Sequence, residues 1–229
     1  MPITEIADFR VKDGITTEAM FDRSSSDFAS LMQEWTRAMH RHKGFHTARL
    51  GTKVEDESNL IILIDWDDVQ SHFACLSSPD YAPIAERIVT DVAPFGGTMC
   101  HVALEPYEDV QKAAKCPITA ITFFHFEDDP PEDFLERARA FRESAMKEPG
   151  PKPLAAAYGI THEEVEDEDT AGKAVVLVAG WESMEAHDAF RASETFQKCM
   201  PELVVGVKKS ESYRVPLRIV EASMWENPV

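Results

Sequence analysis

The sequence predicts an α+β fold made of two copies of one β-α-β-β-α-β unit, and two observations carry this prediction. The segment PITEI at 2–6 recurs as PITAI at 117–121, which is 115 positions later. The segment WDDVQSH at 66–72 recurs as WESMEAH at 181–187 with the same spacing. Two separate matches at one spacing, with tryptophan and histidine among them, indicate an internal repeat.

Each copy shows the same order of predicted elements. β-branched and aromatic runs predict strands, and helical segments between them end at glycine or proline. In the first copy the elements fall at 3–11 (strand), 27–43 (helix), 46–53 (strand), 60–66 (buried strand), 67–92 (helix, interrupted near 78–79) and 99–105 (strand). In the second copy they fall at 118–126, 132–147, 154–161, 174–181, 182–200 and 213–220.

This order divides the chain into two ferredoxin-like units. We expect the first unit at 1–105, a linker at 106–116 and the second unit, with a C-terminal tail, at 117–229. Each unit is an antiparallel sheet with two helices on one face, and its other face is apolar and needs cover. We expect the second copy to supply that cover, so that one α+β barrel closes within the chain and further dimerisation is optional.

Composition excludes several classes of function. Lysine and arginine number 23 against 41 aspartate and glutamate, a net charge of −18, which disfavours binding to nucleic acid or to an anionic membrane. No apolar run reaches the roughly 18 residues of a membrane span, and the first residues do not resemble a secretory signal. The four cysteines form no C-x-x-C pair, so we expect reduced thiols and a cytoplasmic location.

The apolar strand that ends in Trp66 or Trp181, followed by a W-x5-H segment, carries a resemblance to a known family. Together with SPDY at 78–81 and SETF at 193–196, it resembles the dimeric α+β barrel superfamily, in particular its antibiotic-biosynthesis-monooxygenase branch. Most members pair two one-unit chains, whereas this chain carries both units. The resemblance implies one ligand pocket in each unit, between the sheet and its helices.

The resemblance also indicates candidate residues in the first unit. It places Trp66 beside the substrate, although a packing tryptophan is the alternative. His72 could act as a base near neutral pH, or could bond a neighbouring loop. Trp35 and His101 are further candidates for substrate binding.

Two other positions differ between the copies. Some polyketide cyclases of the superfamily carry histidines at the places that Glu5 and Tyr81 take here. A carboxylate and a phenol could remove a proton and polarise a carbonyl, whereas a solvated glutamate and a core tyrosine are the alternative. The second copy has Ala120 and Phe196 there, which can do neither, so we expect any activity to lie in the first unit.

A second pocket has its own candidates, which could serve polar substrate groups or could be strand-end and surface residues. They are Trp181, His187, His125, Tyr158 and Arg214. His40 and His42 point to different faces of a helix, so we expect no metal site. No G-x-G-x-x-G, P-loop or G-x-S-x-G motif occurs, and the first strand lacks the asparagine of haem-degrading relatives, so we expect no cofactor.

Two function classes remain open. The first is a cofactor-independent monooxygenase or cyclase that acts on a small aromatic or polyketide-like molecule in secondary metabolism. The second is a non-catalytic barrel that binds a small molecule or serves as a scaffold. A deep pocket with converging polar side chains would favour the enzyme.

Overall fold

The computed structural model describes residues 1–22, 24, 26–165 and 170–225. It divides into two compact units, one formed by Met1–His101 with the segment that begins at Arg218, the other by Val102–Leu217. The sequence-based boundaries differ at the C-terminal end, because the short strand Arg218–Ile219 pairs with a strand of the first unit. The predicted α+β class with two repeated units is confirmed.

The first unit is an antiparallel sheet with helices packed on one face. Within it the strands lie in the order β4-β1-β3-β2-β9. Its strands are β1 (Ile3–Arg10), β2 (Phe45–Thr52), β3 (Asn59–Trp66), β4 (Gly97–Val102) and β9 (Arg218–Ile219). Its helices are α1 (Thr17–Phe21), α2 (Ser26–Arg41), α3 (Val69–Leu76) and α4 (Ala82–Arg87), with a π-helical turn at Ile88–Val92 and a 3-10 turn at Ala222–Trp225.

The second unit repeats this arrangement, with strands in the order β8-β5-β7-β6. Its strands are β5 (Ile118–His125), β6 (Ala155–Glu164), β7 (Lys173–Trp181) and β8 (Lys209–Val215). Its helices are α5 (Tyr107–Ala113), α6 (Phe134–Met146), α7 (Met184–Arg191) and α8 (Glu194–Leu203). The last strand ends before Pro216, which removes a backbone donor, rather than running to residue 220 as the sequence predicts.

Helix α5 occupies the segment that the sequence predicts to be a linker. Its Val110 and Ala113 are completely buried, so this stretch is part of the second unit's core. A Cβ atom added at Gly180 of β7 would lie 2.6 Å from Ala113 Cα, so only glycine permits this close approach. Asp109 of the same helix accepts hydrogen bonds from Lys112 and from Arg142 of α6.

Strand pairing confirms that the two units are equivalent at the predicted positions. Ile3 lies opposite Trp66 in the first unit, and Ile118 lies opposite Trp181 in the second. Two residues further along, Glu5 and Ala120 occupy the same register position in β1 and β5. The comparison of Glu5 with Ala120 therefore rests on backbone geometry as well as on the sequence repeat.

The helix after each of these tryptophans begins with a side-chain cap. Asp68 accepts a hydrogen bond from the backbone of Ser71, and Ser183 accepts one from the backbone of Ala186. Both caps fix the first turn of the helix, and the histidine four residues later is buried against the tryptophan. None of the helices in the described part of the chain is long and apolar enough to cross a membrane.

Candidate functional site

A buried polar cluster joins three elements of the first unit. Trp66 Nε1 at the end of β3 donates a hydrogen bond of 2.9 Å to Glu5 Oε2 on β1. His72 Nε2 on α3 lies 3.4 Å from the same carboxylate oxygen, and the His72 ring stacks on Trp66 at a centroid distance of 5.1 Å. The Glu5 carboxylate is thus held by an indole N–H and an imidazole, and only 5% of the residue is exposed.

His101 on β4 extends this cluster. His101 Nε2 lies 2.7 Å from His72 Nδ1, so one ring donates a hydrogen bond to the other. The result is a continuous buried chain from His101 through His72 to Glu5 and Trp66. One ligand atom from each of Glu5, His72 and His101 lies within 4.8 Å of the others, which makes them the set in the described residues that could hold a metal ion.

Tyr81 and Trp35 meet beside this cluster. Trp35 Nε1 donates a hydrogen bond of 3.3 Å to the Tyr81 hydroxyl. Burial raises the pKa of Tyr81, and the charge of Glu5 raises it further, so the phenol is neutral at physiological pH. Burial likewise raises the pKa of the Cys75 thiol to about 12.

The first unit has a small apolar cavity of about 30 Å³. Trp35 lines it together with Leu31, Leu50 and Ile62, whereas Glu5, His72 and Tyr81 are not among its described lining residues. About 30 Å³ is the volume that one water molecule occupies in the liquid. The predicted catalytic residues Glu5, His72 and Tyr81 are therefore joined to their neighbours by polar contacts, and they are not among the described residues that line this cavity.

A larger cavity, of about 280 Å³, lies in the second unit between the sheet and its helices. Aromatic and aliphatic side chains dominate its wall, including Phe124, Phe141, Phe190, Phe196, Leu177 and Met200. Polar groups are few and include Arg142, Arg191, Thr122 and Ser212. Such a wall fits a flat apolar molecule that carries few polar atoms.

Two of the second-pocket candidates, Trp181 and His187, line this cavity. Their ring centroids are 4.8 Å apart, close to the spacing of Trp66 and His72 in the first unit. Trp181 is 3% exposed, and its Nε1 has no hydrogen-bond partner among the described residues. The two tryptophans differ in hydrogen bonding because Ala120 lines the cavity at the position where Glu5 supplies an acceptor in the first unit.

The other three candidates are not among the described lining residues of the cavity. His125 lies buried at the end of β5 and stacks on Phe123. Tyr158 OH accepts a hydrogen bond of 3.1 Å from Arg139. Arg214 donates to Asp188 of α7 at 2.8 Å, and its backbone lies directly opposite Ala120.

Sequence reasoning missed a buried ion pair on the other face of the first sheet. Arg49 NH1 on β2 donates to Asp65 Oδ2 on β3 at 2.8 Å, and the Thr4 hydroxyl donates to Asp65 Oδ1 at 2.7 Å. The corresponding second-unit positions, by strand register, are Ala157 and Gly180. The signal available in the sequence was Asp65, an aspartate within the apolar run 59–66, because a charged side chain is rarely buried without a partner.

Comparisons with known proteins agree with this architecture. Residues 117–202 match the family model "Antibiotic biosynthesis monooxygenase", which confirms the predicted resemblance in the second unit. No curated protein sequence matches the chain. The match covers most of the cavity wall, including Trp181 and His187.

Several solved structures share the fold along almost the whole chain. A protein assigned as a monooxygenase from Fusobacterium nucleatum is 13% identical with a TM-score of 0.62, and the alignment covers 95% of this chain and 93% of the other. An anthrone oxidase-like protein is 14% identical with a TM-score of 0.62, over 96% and 93% of the two chains. These similarities establish the two-unit fold in single chains of comparable length.

Proposed function

We propose that the protein is a cofactor-independent oxygenase whose second unit binds a small aromatic substrate. The observation that carries the proposal is the apolar cavity of about 280 Å³ inside the region that matches the monooxygenase family model. Aromatic side chains, Phe141, Phe190 and Phe196, supply flat contact surfaces for a fused-ring molecule. The likeness in fold to an anthrone oxidase-like protein supports this substrate class.

His187 is the candidate base. It lies in the cavity wall, 8% exposed, where an imidazole can take a proton from an activated C–H or a phenol. The resulting electron-rich carbanion reacts with O₂: the CH₂ group becomes a carbonyl, one oxygen atom stays on the product and the other leaves as water. No external reductant is needed, because the substrate supplies all four electrons. The enclosed apolar wall limits access of water to the anion.

Anthrone is a suitable probe, because its oxidation by O₂ to anthraquinone and water can be followed by absorbance and by oxygen uptake. We expect His187→Gln to lower the rate by about 100-fold or more, as for loss of a general base. His72→Gln is the matched change in the first unit and should leave the rate within about threefold. The reverse pattern would move the active site to the first unit.

The prediction that Glu5, Tyr81 and His72 catalyse the reaction in the first unit is tested by the same assay. Glu5→Gln and Tyr81→Phe keep the side-chain shapes while removing the carboxylate charge and the hydroxyl. We expect both variants to retain turnover. Glu5 and Tyr81 accept hydrogen bonds from Trp66 and Trp35, and the larger of the two described cavities lies in the second unit.

The alternative is a small-molecule binding protein without catalytic activity, or a cyclase that uses the same base. The scarcity of polar groups in the cavity favours simple binding. Binding of anthrone without oxygen uptake, in the wild type and in every variant, would establish the binding function. Oxygen uptake that depends on His187 excludes it.

A further inference from the structure

Beside the equivalent tryptophan and histidine, each unit has a small site that we call the niche, and the residue at this site differs between the two units. In the first unit the Glu5 carboxylate fills the niche, with its Oε2 bonded by Trp66 Nε1 and 3.4 Å from His72 Nε2. In the second unit the tryptophan and histidine are retained, but Ala120 replaces the glutamate. The second niche is therefore bounded by Ala120, Trp181 and His187, all three of which line the large cavity.

The second niche keeps a donor that lacks its acceptor. Trp181 Nε1 is buried and has no hydrogen-bond partner among the described residues. Leaving a buried N–H without an acceptor is destabilising, so a ligand that supplies an oxygen gains free energy from this bond. Ala120, whose side chain is a methyl group, stands at the register position that Glu5 takes in the first unit, and it lines the cavity.

We propose that the second-unit cavity selects a hydrophobic aromatic molecule with a carboxylate, and that this carboxylate occupies the niche as the Glu5 side chain does in the first unit. One carboxylate oxygen accepts the Trp181 Nε1 hydrogen bond, as Glu5 Oε2 accepts that of Trp66. The aromatic body lies among Phe141, Phe190 and Phe196. The inference rests on the ligand site of the proposed function and specifies the class of ligand.

The charges around the niche favour an anion. Arg214 lies directly opposite Ala120 across β8 and β5, so both side chains project from the same face of the sheet. Its guanidinium is held by Asp188, which keeps it on the helix side of that face. Arg191 lines the cavity and forms no ion pair with the described residues. Of these two cations, Arg191 lines the cavity itself, and a cation there offsets part of the cost of bringing a carboxylate out of water.

The test compares acids with their neutral amides. Benzoate, 2-naphthoate and 2-anthroate are titrated into the full chain by calorimetry, each beside the amide of the same ring system. We expect at least one acid to bind about tenfold or more tightly than its amide. Trp181→Phe should weaken binding of that acid by about tenfold, because it removes the N–H donor along with part of the indole ring, and should change binding of the amide by less than threefold.

Trp66→Phe is the matched control, since it removes the equivalent N–H from a niche that Glu5 already fills. It should leave acid binding within about twofold in protein whose circular dichroism matches the wild type. The proposal is overturned if no acid binds better than its amide, or if Trp181→Phe weakens acid and amide equally. Oxygen uptake reports separately on the proposed function: acid selectivity without turnover refutes only the oxygenase, and turnover without acid selectivity refutes only the niche.

Discussion

The buried pair Arg49–Asp65 allows a stability prediction from the geometry of the structure. Its two side chains are 1% and 0% exposed, and the guanidinium nitrogen lies 2.8 Å from the carboxylate oxygen. Asp65→Asn keeps the shape of the side chain but removes the carboxylate charge that pairs with the buried Arg49 cation. Breaking a buried pair in this way costs about 3–5 kcal/mol. Since about 1 kcal/mol shifts the melting temperature of a chain of this size by roughly 2–4 °C, we expect a loss of roughly 6–20 °C.

The assay is urea unfolding followed by circular dichroism, with thermal unfolding beside it. Asp67→Asn is the control, because Asp67 pairs with His46 at the surface, where its side chain is 55% exposed. That change should cost no more than about 1 kcal/mol. The combined variant Arg49→Met with Asp65→Leu should be more stable than Asp65→Asn, since it removes both charges of the pair. A cost below about 1 kcal/mol for Asp65→Asn would refute the reasoning.

Three further predictions concern packing, thiols and pH. Gly180→Ala should destabilise by about 1–3 kcal/mol in urea unfolding, because the added methyl group meets the backbone of α5, whereas Gly150→Ala should have little effect. Iodoacetamide at pH 8 should modify the partly exposed Cys199 well before Cys75, whose pKa is raised by burial, as peptide mass spectrometry will show. Burial opposes ionisation of Asp109, but hydrogen bonds and charges from its cationic partners outweigh this and lower its pKa. Asp109→Asn should therefore be less stable than wild type at pH 5–7, with the difference shrinking as the pH falls through the lowered pKa of Asp109; a difference independent of pH would contradict this.

Much of the fold was predictable, because the repeat is encoded in hydrophobic pattern and turn residues that act locally. The strands that end in Trp66 and Trp181, and the helices that follow, lie where the sequence places them. Helix α5 was missed because its burial depends on Gly180, a residue about 70 positions away whose role is visible only when β7 and α5 are packed together. Local sequence reports such long-range packing poorly.

The candidate site was predictable in its members but not in its geometry. The sequence indicates Glu5, His72 and His101 separately, and the structure joins them by a hydrogen bond between the two histidines and an ion-pair contact between His72 and Glu5. The asymmetry between Glu5 and Ala120 was visible in the sequence, and the prediction that activity lies in the unit with the polar group stays a prediction. Of the two described cavities, the larger lies in the second unit, where Ala120 stands in place of the polar group.

Ala120→Glu tests whether the two niches are physically equivalent. The introduced carboxylate should accept the Trp181 Nε1 hydrogen bond, as Glu5 does from Trp66. A hydrogen bond to a charged group contributes about 1.5–3 kcal/mol, so Ala120→Glu and Trp181→Phe should show a coupling energy of that size in a double-mutant cycle. Aromatic acids should no longer bind to Ala120→Glu, because the protein's own carboxylate occupies their place.

Ala120→Leu separates the effect of the hydrogen bond to Trp181 from the effect of the added side-chain volume. It fills the niche without an acceptor, so it should also block ligands, yet its coupling to Trp181→Phe should lack the contribution of the hydrogen bond and stay below about 0.5 kcal/mol. Equal coupling for the two substitutions would mean that packing alone accounts for the effect. A larger coupling for the glutamate would show that the first unit supplies from its own sequence the carboxylate that the second unit takes from its ligand.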